Sequence, residues 1–174
     1  MSEKVLNKVR KIAKIFSLRY NRNVFRINYL PKRELAIISY LGGNPDFSKF
    51  GNNIEERTNN IEDFLKSQEF KKEARKQSGC VTNSLIIAKY IKSIKNQKVK
   101  KYCEIILKAL DKNKDLILVS KPTNFKERKF TDTIILHEYL HALLNYNNVK
   151  LQKKKKEYWK LDEALVKYLT DLKV

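Results

Sequence analysis

The stretch Thr131-Asp132-Thr133-Ile134-Ile135-Leu136-His137-Glu138-Tyr139-Leu140-His141-Ala142-Leu143-Leu144 decides how the chain is read. It holds His-Glu-x-x-His inside an apolar segment with helical spacing. Residues four apart on a helix lie on one face, one turn above the other, so His137 and His141 stand where two imidazoles can share a metal ion. Glu138 follows His137 directly and can reach a water on that metal as a general base. The chain has two histidines, and both are in this motif. Two placed at random would fall four apart, with Glu after the first, on the order of once in a thousand chains. That disfavours the competing reading, a helix that merely carries surface histidines.

A catalytic zinc takes three protein ligands and keeps one position for water. With no third histidine in the chain, a carboxylate has to supply the third donor unless a cysteine or a second water does. Zincin classes whose third ligand is histidine are excluded, and Leu144 and Asn147, standing where those classes carry Gly and His, agree. His137-Glu138-Tyr139-Leu140-His141 followed by Leu161-Asp162-Glu163-Ala164-Leu165 resembles the gluzincin metallopeptidases. In that group a glutamate on a following helix completes the zinc site. Trp159-Lys160-Leu161-Asp162-Glu163-Ala164 is similar in layout to the aminopeptidase version of that segment, with Asp for Asn. The small size is similar to that of the soluble minigluzincins. The resemblance covers roughly residues 115 to 172.

The resemblance implies a zinc metallopeptidase, of endopeptidase or related type, with Zn2+ on His137, His141 and Glu163. Glu138 would take a proton from the attacking water and pass it to the leaving amine. The helical wheel leaves the third ligand open between Glu163 and Asp162, because Asp162 lies nearer the apolar face set by Leu161, Ala164, Leu165, Tyr168, Leu169 and Leu172. Lys167 stands where some gluzincins carry an acidic partner to a ligand, so that support must come from elsewhere. Tyr158 and Tyr168 are candidate oxyanion stabilisers only by closeness in sequence. The fold class expected is α+β, a mostly helical zincin-like domain with a small β-sheet, in which the motif helix is followed by a C-terminal ligand helix. Residues 1–110 form a helical N-terminal part with a possible strand at 24–29. Residues 111–174 form the zincin-like core, and the two parts make one compact unit.

With 174 residues and 42% hydrophobic content the chain can bury a real core. The net charge of +19, from 38 basic and 19 acidic residues, favours contact with acidic partners. A nucleic-acid partner is possible on this charge but is not favoured, because the lysines are spread along the chain between apolar residues at helical spacing. The partner expected is a peptide or protein substrate. The run Lys150-Leu151-Gln152-Lys153-Lys154-Lys155-Lys156 reads as a solvated loop near the site, which suggests acidic substrates. Cys80 and Cys103 lack the spacing of a metal site and read as ordinary thiols in a reducing compartment. No secretory signal or membrane span is legible, so a cytoplasmic location is expected.

Along the rest of the chain, residues 3–20 read as a basic amphipathic helix and 34–41 as a short helix or strand. Gly42-Gly43-Asn44-Pro45-Asp46 is a turn, and 47–60 an Asn-rich loop. Helices are expected at 61–76, 81–94 and 99–110, with 47–78 the candidate inserted or flexible segment. A strand is expected at 115–120, its edge able to hold an extended peptide. The motif helix is expected to start near Thr131 or Asp132, either of which could cap it, and a last helix from Tyr158. Two rival functions remain at this level. One is a regulatory zincin with a dedicated protein target, and the other a basic nucleic-acid-binding protein with an inert motif. A latent enzyme with a filled cleft is a further possibility.

Overall fold

A computed structural model describes residues 3–21, 27–42, 45–110, 115–123, 125–147 and 155–173. Side chains at 45, 46, 115, 125–130, 155–159 and 161 are outside the described set, as is most of the lysine run. The described chain is α+β, mostly helical with one three-stranded sheet. It divides into two compact units, residues 1–27 with 122–174 and residues 28–121. This partition does not coincide with 1–110 and 111–174, because the first helix packs with the motif helix.

The first unit holds α1 (Glu3–Ile15), α8 (Phe125–Tyr146) and α9 (Lys155–Asp171). Ile135, Leu136, Tyr139, Leu140, Ala142, Leu143 and Leu144 are all buried, so α8 is apolar around most of its girth over its second half. Such a helix belongs at the centre of its unit. Val5, Leu6, Val9, Ile12 and Ala13 give α1 its buried stripe, and Asp162, Val166 and Leu169 give α9 its own. Lys8 Nζ also donates to the Thr170 carbonyl at 2.8 Å, tying α1 to α9.

The first helix ends at Ile15, short of the expected Tyr20. Ser17 adopts φ 51°, the left-handed conformation that closes helices, and the Leu18 amide then bonds the Ala13 carbonyl. The chain leaving α1 is fixed to the end of α8. The Arg19 amide donates to Asn147 Oδ1 at 2.7 Å, and Asn147 Nδ2 donates to the Arg19 carbonyl at 2.9 Å. The Tyr20 ring lies 6.4 Å from that of Tyr139.

The second unit carries the sheet, in order β1 (Ile27–Leu30), β3 (Asp115–Ser120), β2 (Gly79–Asn83). The second and third strands are antiparallel, from Gly79 opposite Val119 to Asn83 opposite Asp115. The expected strand at 24–29 is found only from Ile27, and 22–26 lie outside the described residues. Because β3 is central, it has no free edge on which a peptide could add as a strand; that expectation is corrected. Its residues Leu116 to Val119 are buried on both faces, as a central strand's are.

Segment 34–41 is helical, as α2 (Lys32–Leu41), buried from Leu35 to Leu41. Residues 47–60, expected as loop, form a 3-10 helix (Pro45–Phe50) and α3 (Ile54–Asn59). Helix 61–76 is two helices, α4 (Ile61–Lys66) and α5 (Gln68–Lys76), broken where Ser67 turns extended and caps the second. Strand β2 takes the start of the expected helix 81–94, leaving α6 (Ser84–Ser93), and α7 (Gln97–Lys108) follows.

Segment 47–78 is not an appendage but supplies the core. The Phe64 ring stacks on Tyr40 with centroids 4.0 Å apart, and Phe47, Phe50 and Phe70 meet it edge-on. Buried Arg57 lies over the Tyr40 ring and donates to the carbonyls of Tyr40 and Gly51, while the Tyr40 hydroxyl donates to the Arg57 carbonyl at 2.8 Å. Gly51 sits at φ 132°, where a side chain is strained and a Cβ would come within 2.7 Å of the Arg57 amide.

Candidate metal centre

The motif helix begins at Phe125, six residues before Thr131, so neither Thr131 nor Asp132 caps it. The charged run Lys126-Glu127-Arg128-Lys129 carries no apolar period but is made of good helix formers, which extend the helix upstream. The motif consequently sits in the fourth and fifth turns, with helix on both sides of it. His137 and His141 then share one face, their rings edge-on with centroids 4.8 Å apart and their Nε2 atoms 3.2 Å apart.

Helix α9 brings two adjacent carboxylates to these rings, and they reach different atoms. Glu163 lies with Oε2 3.4 Å from His137 Nε2 and Oε1 3.1 Å from His141 Nε2. Asp162 Oδ2 lies 2.7 Å from His141 Nδ1, the opposite side of the same ring. Donor atoms of His137, His141 and Glu163 lie within 4.8 Å of one another. Asp162 is therefore a partner of a histidine, not a rival third donor, and it supplies the support that Lys167 does not. The helical wheel contained the signal: the more buried carboxylate is the one that reaches the far side of the His141 ring.

The spacing fits a metal. Donors about 2.0–2.1 Å from a tetrahedral zinc stand about 3.3 Å apart. The two Nε2 atoms stand 3.2 Å apart, and the Glu163 carboxylate comes within 3.4 Å of one through Oε2 and 3.1 Å of the other through Oε1, close to that value. A carboxylate at Nδ1 also fixes the tautomer, with the proton on Nδ1 and the Nε2 lone pair turned toward the cluster.

Burial is graded across the site. The side chains of His141 and Asp162 are 11% and 12% exposed, those of His137 and Glu163 29% and 37%. The cluster thus opens toward solvent at His137 and Glu163. Burial acts to lower the His141 pKa, but hydrogen bonds to Asp162 and Glu163 outweigh it and raise the group to about 10 in the metal-free protein. Hydrogen bonds from His137 and then His141 hold Glu163 well below the usual carboxylate range. Glu138 is buried beside the rings, and desolvation pushes it up to about 7, against the pull of His141 and His137. A carboxylate poised there can both accept and return a proton near neutral pH.

The other expected participants do not join. Tyr168 is 60% exposed and lies five residues beyond Glu163, turned well away from it around α9. The side chain of Tyr158 lies outside the described residues, as do 150–154 of the lysine run. Cys103 is buried in the core of the second unit, with burial pushing its thiol up to about 12, and the donor group found among the described residues consists of His137, His141 and Glu163. Among the described residues, no helix is long and apolar enough to cross a membrane. No protein-family model, curated protein or solved structure matches the chain.

Proposed function

We propose that the chain is a zinc-dependent metallopeptidase of gluzincin type, with a zincin-like arrangement of α8 and α9. The observation that carries the reading is the convergence of His137, His141 and Glu163 at metal-ligand spacing with Glu138 buried alongside. Two imidazoles and a carboxylate suit zinc, and the same set also serves non-haem iron. Glu138 favours hydrolysis, because a general base next to the metal has a task in activating water and none in oxygen chemistry. Zinc bound by these donors supplies Lewis acidity toward a peptide carbonyl and lowers the pKa of water to about 7.

The rest belongs to the chain's own side chains. Asp162 holds His141 in one tautomer and one rotamer, so the His141 Nε2 stays aimed at the metal position. Glu138 takes the proton of the attacking water on its carboxylate and delivers it to the departing amine nitrogen, ending in its starting state. The open side at His137 and Glu163 is where an extended substrate can approach. Metal analysis tests the proposal. The wild-type protein should hold about one zinc per chain, Glu138→Gln should keep it, and His141→Ala should lose most of it. Cleavage of an unbiased quenched-peptide library should fall by at least about 10²-fold in both variants. Zinc-free wild-type protein after reconstitution, or a Glu138→Gln variant as active as the wild type, would overturn it.

A further inference from the structure

We infer that the site selects acidic polypeptide segments, through Lys160 and Lys167 at the rim of the proposed metal centre. The inference rests on the peptidase reading for its location and adds the class of substrate. Lys160 is three residues before Glu163 and Lys167 four residues after it, so both leave α9 on the side Glu163 occupies. Glu163 and His137 form the solvent-open side of the cluster, while His141 and Asp162 are shut off. The two ammonium groups therefore flank the side from which a substrate arrives, one below and one above Glu163 along the helix. Both lysines are exposed, and neither has an ion-pair partner among the described residues.

The surrounding charge points the same way. Residues 1–27 and 122–174 carry 19 Lys and Arg against 8 Asp and Glu. Three of those eight are Glu138, Asp162 and Glu163, committed to the site itself. Glu3, one of the other five, is already met by Arg10 at 3.5 Å. A bound divalent cation would offset the site carboxylates further, so the unit's overall charge is positive. Such a charge concentrates anionic ligands and speeds their association. A polypeptide rather than a nucleic acid is the occupant favoured, because Lys160 and Lys167 border a donor cluster suited to one carbonyl.

The test separates binding from cleavage. Fluorescein-labelled peptides with a common apolar centre and flanking Glu, Gln or Lys are titrated by anisotropy into full-length, zinc-loaded Glu138→Gln protein. Two exposed charge pairs predict a Glu peptide bound about three- to ten-fold more tightly than the Gln peptide at low salt, with the gap closing as salt is raised. Lys160→Gln/Lys167→Gln should remove most of the gap while leaving zinc content unchanged. Equal binding of the Glu and Gln peptides, or a gap untouched by the double substitution, overturns the inference. So does a short duplex DNA that outcompetes the Glu peptide and loses its affinity in the double variant. An acid-selective protein that cleaves nothing would refute the peptidase reading and leave this one standing; cleavage of all three peptides alike, without a binding gap, would do the reverse.

Discussion

Removing the Asp162 carboxylate should weaken zinc binding without removing a ligand, and its size follows from the contact. The Asp162–His141 bond is 2.7 Å long, at the short end for a charge-assisted N–H···O, and both side chains are nearly closed to solvent. Hydrogen bonds of this kind contribute about 1.5–3 kcal/mol, and loss of a ligand's supporting partner weakens metal affinity about 10–100-fold. Asp162→Ala should therefore raise the zinc Kd by about 10–100-fold, because His141 is freed to turn and to present the wrong nitrogen. Asp162→Asn keeps an acceptor oxygen at the same distance and should lose less than about ten-fold. Glu163→Ala removes a donor outright and should exceed both. Competition against a chelator of known affinity reads all three, with far-UV circular dichroism as the check on folding. An Asp162→Ala protein that binds zinc within two-fold of the wild type would refute the supporting role. If Asp162→Ala were worse than Glu163→Ala, the assignment of donor and partner would be reversed.

Glu138→Gln should lower kcat on any cleaved peptide by about 10²–10⁴-fold, the usual yield of a positioned base, with zinc Kd changed little. The metal-free protein should lose stability as pH rises. His141 has a folded pKa of about 10, above its unfolded value, so its contribution is complete below about 6.5 and is lost as pH climbs toward 10. Glu138, raised to about 7, acts in the same direction between about pH 4.5 and 7, and thermal melts from pH 5 to 9 in chelator would show the decline. Saturating zinc should flatten that decline, since the metal displaces the His141 proton, and apparent zinc affinity should rise with pH over the same range. In the second unit, Phe64→Ala should cost about 3–5 kcal/mol by urea denaturation, since it empties the place where Tyr40, Phe47, Phe50 and Phe70 converge. Gly51→Ala should cost about 1–3 kcal/mol from the strained φ alone, with the Arg57 amide adding to it.

The sequence carried the two site helices well and the rest of the topology poorly, for identifiable reasons. The histidine pair and the downstream carboxylates are local patterns, and a helix converts spacing of four directly into proximity. Choosing between Asp162 and Glu163 needed the relative pose of α8 and α9, which no local pattern encodes. Strand β2 was missed because Cys80-Val81-Thr82 is short and its partner, Leu116 to Leu118, lies more than thirty residues on. Segment 47–60 looked like loop because Asn52, Asn53, Asn59 and Asn60 dominate its composition. Two of those asparagines are structural: Asn53 caps α3 through Glu56, and Asn60 donates to the Phe50 carbonyl. Buried Arg57 was invisible for the opposite reason, since a cation inside a core is specified by carbonyls and an aromatic face rather than by any periodicity.

The Asp162–Glu163 dipeptide explains why the site needs two acids of unequal length. Consecutive residues leave a helix about 100° apart, so they cannot both point at one atom. They can, however, take opposite ends of one imidazole. Asp162, on the buried side of α9, has one methylene and meets the near nitrogen, His141 Nδ1, inside the packed interface. Glu163, on the more open side, needs the second methylene to pass the ring and reach the Nε2 atoms of both histidines. His141 is thereby clamped across its long axis, one carboxylate fixing the proton and the other lying where a metal would be shared. On the proposed reading the buried carboxylate would serve orientation and the accessible one ligation, an order that leaves the donor cluster facing solvent.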